Sequence, residues 1–288
     1  MDSKEIVWLA ALFHDIGKFS QRWRNEDRWG HGAFTENFLF SQGAYWGDAA
    51  QRLMQLASEH HEGGDDCDAL IVQLSDWLSA GERLTEERAR LPFYEAAMAA
   101  TVSRVEFREP KGEERFYSLR RLELTDGVIF AVEDETVPAD DYRKLWDAFA
   151  QRFREFVGER CYRCSDFTTL YFLLKEYGSR IPPATPWEPQ KDRTVPDISL
   201  FDHSRVACAI AACLTHREDA LETLKEIREA LRTDRPCSEP KPFLLLRGDL
   251  SGIQSFLFRI TRDATGKGTT KRLRGRSFYT SHGHILTY

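Results

Sequence analysis

Apolar residues recur at helical spacing from the start of the chain. Ile6, Leu9, Phe13 and Ile16 fall on one face of a helix expected over 5–19. Gly30 interrupts the pattern, and 33–40, 49–58 and 69–81 resume it, which predicts a helical domain over 1–90. Two runs rich in β-formers, 102–108 and 116–123, flank Pro110, Lys111 and Gly112, the composition of a hairpin. Helical spacing returns over 142–157 and 168–177, after which Pro182, Pro183, Pro186 and Pro189 mark a linker over 182–196. Val206, Ile210 and Cys213 then form an apolar stripe on a helix over 202–214, with Asp202 or Ser204 available as cap, and 221–231 predicts another helix. An apolar run over 242–246 stops at Gly248-Asp249-Leu250-Ser251-Gly252, and 253–260 is again helical in pattern. The fold class expected is α+β: a helical domain over 1–90, a mixed hairpin and helical segment over 91–240, and a strand, turn and helix opening a further unit over 241–288.

Chemistry concentrates in the helical part. The string Leu12-Phe13-His14-Asp15-Ile16-Gly17-Lys18 joins an imidazole to a carboxylate, and His31, His60, His61 and Asp76 lie in segments of the same domain. Imidazole and carboxylate together suit borderline transition metals, and two such ions sharing an Asp can activate a water and neutralise a phosphodiester. Lys18, one helical turn beyond His14, can offer its charge to a phosphate. A core histidine with a satisfied hydrogen bond is the plainer use of a His on an apolar helix; the whole string favours the metal.

Composition narrows the class. The chain has 288 residues, is 42% apolar and 30% charged, and carries a net charge of −6. No apolar run approaches the roughly 20 residues that cross a bilayer, and residues 1–12 lack the features of a secretory signal, so a cytoplasmic protein with no membrane partner is expected. Cysteines 67, 161, 164, 208, 213 and 237 are scattered and read as reduced thiols. Cys161 and Cys164 are half a zinc site, to be completed only if folding recruits His203, Cys208 or Cys213, and zinc is not expected there. From Glu239 onward nine Lys/Arg face three acids, a balance of +6 that leaves −12 on residues 1–238. The basic end wants anions.

Four blocks, in order along 6–279, resemble one family. Residues 9–18, ending His14-Asp15-Ile16-Gly17-Lys18, are similar to the HD phosphohydrolase motif. Leu74-Ser75-Asp76-Trp77 through Arg83 is similar to the later Asp-bearing helix of the HD domain in the large subunit of Csm-type, type III-A CRISPR effector complexes. The segment 195–204 resembles another part of that subunit, and 248–256 with 271–279 resembles the opening of its first, ferredoxin-like palm domain. The resemblance implies a metal-dependent single-stranded DNase at the HD site, using manganese, nickel or a similar ion. It also implies ATP binding and cyclic oligoadenylate synthesis in the complete palm-containing protein, and partnership with other effector subunits, guide RNA and target RNA. Residue by residue, His14 and Asp15 match the motif pair, Asp76 matches the later Asp, and His31, His60 and His61 fit the remaining positions; Lys18 joins His14 and Asp15 as catalytic.

Gly248, Asp249, Ser251 and Gly252 would bring backbone close to a phosphate, with Lys271, Arg272, Arg274 and Arg276 adding charge; from the residues alone, a plain turn beside a solvated basic surface fits equally. Gly63-Gly64-Asp65-Asp66 spells a cyclase motif in the wrong place and reads as a solvated turn. The polar tail from Thr280 to Tyr288 departs from the family pattern and reads as the end of a truncated or frameshifted product, or of a fragment, with the palm incomplete. Two alternatives stand beside the nuclease: a non-catalytic RNA- and subunit-binding scaffold, and an HD nucleotide phosphohydrolase.

Overall fold

The fold is described from a computed structural model, covering residues 1–24, 30–61, 66–80, 95–104, 114–134, 136–182, 196–216 and 220–233, with Phe243, Ser255, Arg274 and Gly275. The chain divides into two units, Met1–Pro242 and Phe243–Tyr288. The first unit runs α1 (Ser3–Phe13), α2 (Ile16–Arg24), α3 (His31–Ser41), α4 (Gly43–Trp46), a 3-10 turn (Gly47–Ala49), α5 (Ala50–Ser58) and α6 (Cys67–Ala80). Two short strands follow, β1 (Met98–Ala99) and β2 (Phe116–Tyr117), then α7 (Asp126–Ile129), α8 (Ala139–Val157), α9 (Asp166–Gly178), α10 (Leu200–Leu214) and α11 (Ala220–Arg232). No helix among the described residues is long and apolar enough to cross a membrane.

α1 is the central element. It packs on α5, α6 and α10, so its apolar residues are not confined to one stripe, and every side chain from Leu9 to Phe13 is fully buried. Aromatic rings from α1, α3, α4 and α8 pack together in the core. Phe13, Phe38, Trp46, Phe149 and Phe153 meet in tilted and edge-on pairs, and Trp146 of α8 stands edge-on to Phe19 of α2 at 5.1 Å. Arg22, fully buried, donates to the Tyr142 hydroxyl at 3.0 Å and to the Pro182 carbonyl at 2.7 Å, which fastens α2 to α8 and to the start of the Pro-rich stretch.

Three local expectations are corrected. The helix expected over 5–19 is two helices with a turn at His14-Asp15. Thr35 of α3 is what breaks it: its hydroxyl accepts from the Gly17 N–H at 3.0 Å and donates to the His14 carbonyl at 2.9 Å, satisfying groups that a continuous helix would have paired internally. The strand expected over 102–108 is not formed where it is described: Thr101–Arg104 is a 3-10 turn, and the pairing lies earlier, Met98 opposite Tyr117 and Ala99 opposite Phe116. β2 is shorter than 116–123, and its Phe116 pairs with both Ala99 and Val132; the hairpin residues 110–112 lie outside the described residues. The third correction concerns α10. Val206 and Cys213 are exposed, and the buried face is Leu200, Phe201, His203, Ser204, Ala207, Cys208, Ala211 and Leu214. Small side chains on that face let α10 lie against α6 and α1. Its cap is Ser199, whose hydroxyl accepts from the Asp202 N–H at 2.9 Å, rather than Asp202 or Ser204.

Candidate metal centre

The turn at His14-Asp15 points both side chains into the middle of the helical domain, where they are completely buried. α3 brings His31 and the end of α5 brings His60 and His61, while α6 supplies Asp76 and α10 supplies His203. Two glycines permit this convergence. A Cβ on Gly17 would stand 2.0 Å from the His31 carbonyl oxygen and 2.6 Å from the Thr35 nitrogen, and one on Gly32 would stand 2.5 Å from the Ser58 carbonyl oxygen. Only bare backbone lets α2 touch α3, and α3 touch the end of α5, closely enough to gather these imidazoles. Thr35→Val, which keeps the shape and removes both hydroxyl bonds, is expected to lower stability by about 1–3 kcal/mol in urea unfolding, because the Gly17 N–H and His14 carbonyl stay buried.

The donor atoms fall into two groups. His14, Asp15, Asp76 and His203 offer atoms all within 4.8 Å of one another, and so do His31, His60 and His61. In the first group His203 Nε2 lies 3.1 Å from Asp76 Oδ1, 3.3 Å from Asp15 Oδ2 and 3.2 Å from His14 Nε2. In the second, His31 Nε2 lies 3.4 Å from His60 Nε2 and 3.2 Å from His61 Nε2. Asp15 joins them, since Oδ2 faces the first group while Oδ1 stands 3.1 Å from His31 Nε2. The first group is closed to solvent on the Asp15 side, and the second opens through exposed His61.

Ring orientation and charge bear on what the cluster could hold. His14 Nδ1 lies 2.8 Å from the Ala11 carbonyl and His60 Nδ1 2.7 Å from the Ala57 carbonyl; a carbonyl only accepts, so in both rings Nδ1 carries a hydrogen and Nε2 is the nitrogen turned inward. Burial, with His14 next to it, holds the His60 imidazole well below its ordinary value, and burial with His31 does the same to His61, so both are neutral ligands at neutral pH. Burial raises the Asp15 carboxyl, but Lys18 at 2.7 Å and His14 outweigh it and hold Asp15 well below the usual carboxylate range. Hydrogen bonds from His14 and His203 likewise overcome burial at Asp76. His203 feels the converse: burial lowers it, yet Asp15 and Asp76 push it up to about 9. Inward-facing Nε2 atoms and two carboxylates, with the buried Asp15 Oδ1 3.1 Å from His31 Nε2, are a donor set that fits divalent ions.

Every ligand candidate read from the sequence is therefore gathered in one place, and Lys18 is there too, though it reaches Asp15 across the turn and not along a continuous helix. His203 was missed as a member of this site. It does not complete a zinc site with Cys161 and Cys164, which are exposed between α8 and α9, while Cys208 is buried with its thiol pushed up to about 12. The signal available for His203 was its place in the block 195–204 that resembles the family. Asp66 is exposed and pairs with Arg52 at 2.5 Å beside the Asp68 pair; Gly63, Gly64 and Asp65, the rest of the expected solvated turn, lie outside the described residues. Gly248, Asp249, Ser251, Gly252, Lys271, Arg272 and Arg276 also lie outside them, and Arg274 is exposed.

Known proteins resemble this chain in sequence and in fold. Residues 2–81 match the HD domain family and residues 242–282 match the Csm1 subunit domain B. The chain is similar to a protein of Methanocaldococcus jannaschii named "CRISPR system single-strand-specific deoxyribonuclease Cas10/Csm1 (subtype III-A)", 33% identical over 94% of this chain and 36% of the relative. It is similar to the protein of the same name from Thermococcus onnurineus, 31% identical over 97% of this chain and 34% of the relative. The chain thus spans about a third of the length of these relatives. Among solved structures, a Csm1-Csm4 cassette in complex with pppApA aligns with TM-score 0.57 at 21% identity, covering 97% of this chain and 35% of that one. A Csm1-Csm4 subcomplex of the type III-A interference complex aligns with TM-score 0.55 at 19% identity, covering 97% and 34%. At such identities these two structures speak for the fold.

Proposed function

Since this chain is a homologue of the Cas10/Csm1 large subunit of type III-A CRISPR systems, we propose that its His/Asp cluster is the metal-dependent active site of a single-strand-specific DNase acting in antiviral defence. The observation that carries the reading is the convergence of inward-facing Nε2 atoms on two ionised carboxylates around a shared Asp15. Divalent ions at that place, manganese or nickel being the ions suited to such donors, supply Lewis acidity for the attacking water and the phosphodiester.

The chain's own residues divide the work. His14, Asp76 and His203 with Asp15 Oδ2 form the enclosed half of the ligand set, and His31, His60 and His61 with Asp15 Oδ1 form the half open to substrate. Lys18, 17% exposed and paired with Asp15 at 2.7 Å, keeps that carboxylate ionised and offers a donor to a phosphate oxygen arriving from solvent. Exposed His61 marks where a strand would reach the metal ligands, and a flexible single strand can bring a phosphate to buried ligands more readily than a stiff duplex.

The remaining roles follow the same homology. Effector subunits including a Csm4-type partner, guide RNA and target RNA are the proposed partners, the cytoplasm the proposed location, and residues 248–276 the proposed ATP or nucleic-acid contact. The test is cleavage of end-labelled single-stranded and duplex DNA by the purified chain. Cutting of the single strand with manganese or nickel, and none with EDTA or on the duplex, is expected. Cutting that survives EDTA, or a chain that cuts neither DNA under any metal, would contradict the proposal.

A further inference from the structure

The three buried histidines of the cluster present Nε2 inward by different means. His14 and His60 place Nδ1–H on carbonyls three residues back along the chain, contacts supplied by their own helices. His203 has no such partner. Its Nδ1 faces the Ser79 hydroxyl of α6 at 3.0 Å, across 124 positions of sequence. A hydroxyl has one hydrogen to give, and Ser79 Oγ also lies 2.9 Å from the Asp76 carbonyl, which can only accept. Ser79 therefore donates to Asp76 and accepts from His203 Nδ1–H.

We propose that Ser79 is a positioning residue of the metal centre, holding His203 as the Nε2 ligand and tying it to Asp76. Without the hydroxyl, a neutral His203 ring gains by carrying its single hydrogen on Nε2, where Asp76 Oδ1 waits at 3.1 Å and Asp15 Oδ2 at 3.3 Å, and that tautomer has no lone pair for a metal. The same hydroxyl links the helix that carries Asp76 to the helix that carries His203, two ligands that belong to distant parts of the sequence. The proposal rests on the metal reading given above.

The experiment is manganese binding by the full chain, followed by the electron paramagnetic resonance of free Mn(II), for the wild type, Ser79→Ala, Ser79→Thr, His203→Ala and the Ser79→Ala/His203→Ala double variant. Ser79→Ala is expected to weaken binding by about 10–100-fold, and Ser79→Thr, which keeps the hydroxyl, to stay within about threefold. The double variant is expected to bind no more weakly than His203→Ala, because Ser79 works through His203. Wild-type binding by Ser79→Ala, loss in Ser79→Thr equal to that in Ser79→Ala, or multiplied losses in the double variant would overturn the proposal while leaving the metal reading intact. A wild type that binds no manganese overturns both. A second measurement needs no variant: in zinc-loaded wild type with 15N-labelled histidine, His203 Nδ1 is expected protonated, and a hydrogen-free Nδ1 would contradict the assignment.

Discussion

Asp15→Ala is expected to reduce metal-dependent cleavage of single-stranded DNA by at least about 10³-fold, equivalent to some 4 kcal/mol of transition-state stabilisation. Asp15 reaches both halves of the donor set, with Oδ2 toward His14 and His203 and Oδ1 toward His31. Loss of the carboxylate removes a ligand from each half and leaves Lys18, otherwise 2.7 Å away, as an uncompensated cation that repels divalent ions. The loss should appear in binding as well as in rate. Manganese raises the melting temperature of a chain that binds it only when folded, and this rise is expected in the wild type and absent in Asp15→Ala. A variant that still melts cooperatively but neither gains stability with manganese nor cuts DNA localises the defect to the site; undiminished cutting would remove Asp15 from the chemistry.

The second large effect is structural. Gly17→Ala is expected to cost at least about 3 kcal/mol, or to prevent folding of the helical domain, because the new Cβ would meet backbone atoms that cannot rotate away: the His31 carbonyl oxygen at 2.0 Å and the Thr35 nitrogen at 2.6 Å. Relief requires α2 and α3 to part, which also withdraws His31 from Asp15 and breaks the bridge through the Thr35 hydroxyl. Gly43→Ala is the control, since a Cβ there meets nothing within 4 Å; its effect is expected within about 1 kcal/mol of zero. Urea midpoints of the two variants compare them directly, and a Gly17→Ala protein as stable as Gly43→Ala would mean that the contact between α2 and α3 is loose.

Several of these features were readable in the sequence and others were not, for physical reasons. α3, α5, α6, α8, α9 and α11 follow from apolar spacing because each buries one face against the core. The same reasoning joined α1 to α2, since Ile6, Leu9, Phe13 and Ile16 keep helical spacing through the turn; what interrupts the backbone is Thr35, a residue of another helix, and no local pattern reports it. α10 failed in the opposite sense. Val206 and Cys213 of its apolar stripe are exposed and Ile210 is half-buried, while Ala207, Ala211, Ser204 and His203 are buried on the face toward α6 and α1, because close helix packing there selects small side chains over large apolar ones. That inversion hid His203, 189 positions from His14 in sequence and 3.2 Å from it in space. Ligands carried within the motif and its neighbouring helices could be found by residue type; Ser79 and Thr35, ordinary hydroxyls, acquire meaning only from what they touch.

Divalent ions are proposed to sit in a two-part cluster bridged by Asp15 and completed by His203 from α10. Anomalous X-ray scattering at the manganese edge, from crystals of the full chain grown with manganese, tests it most directly. The account predicts anomalous density ringed by Asp15, Asp76, His14 and His203, with a second peak among His31, His60 and His61 on the far side of Asp15. Manganese bound elsewhere, or a cluster that stays free of anomalous density while His203 remains hydrogen-bonded to Asp76, would contradict it.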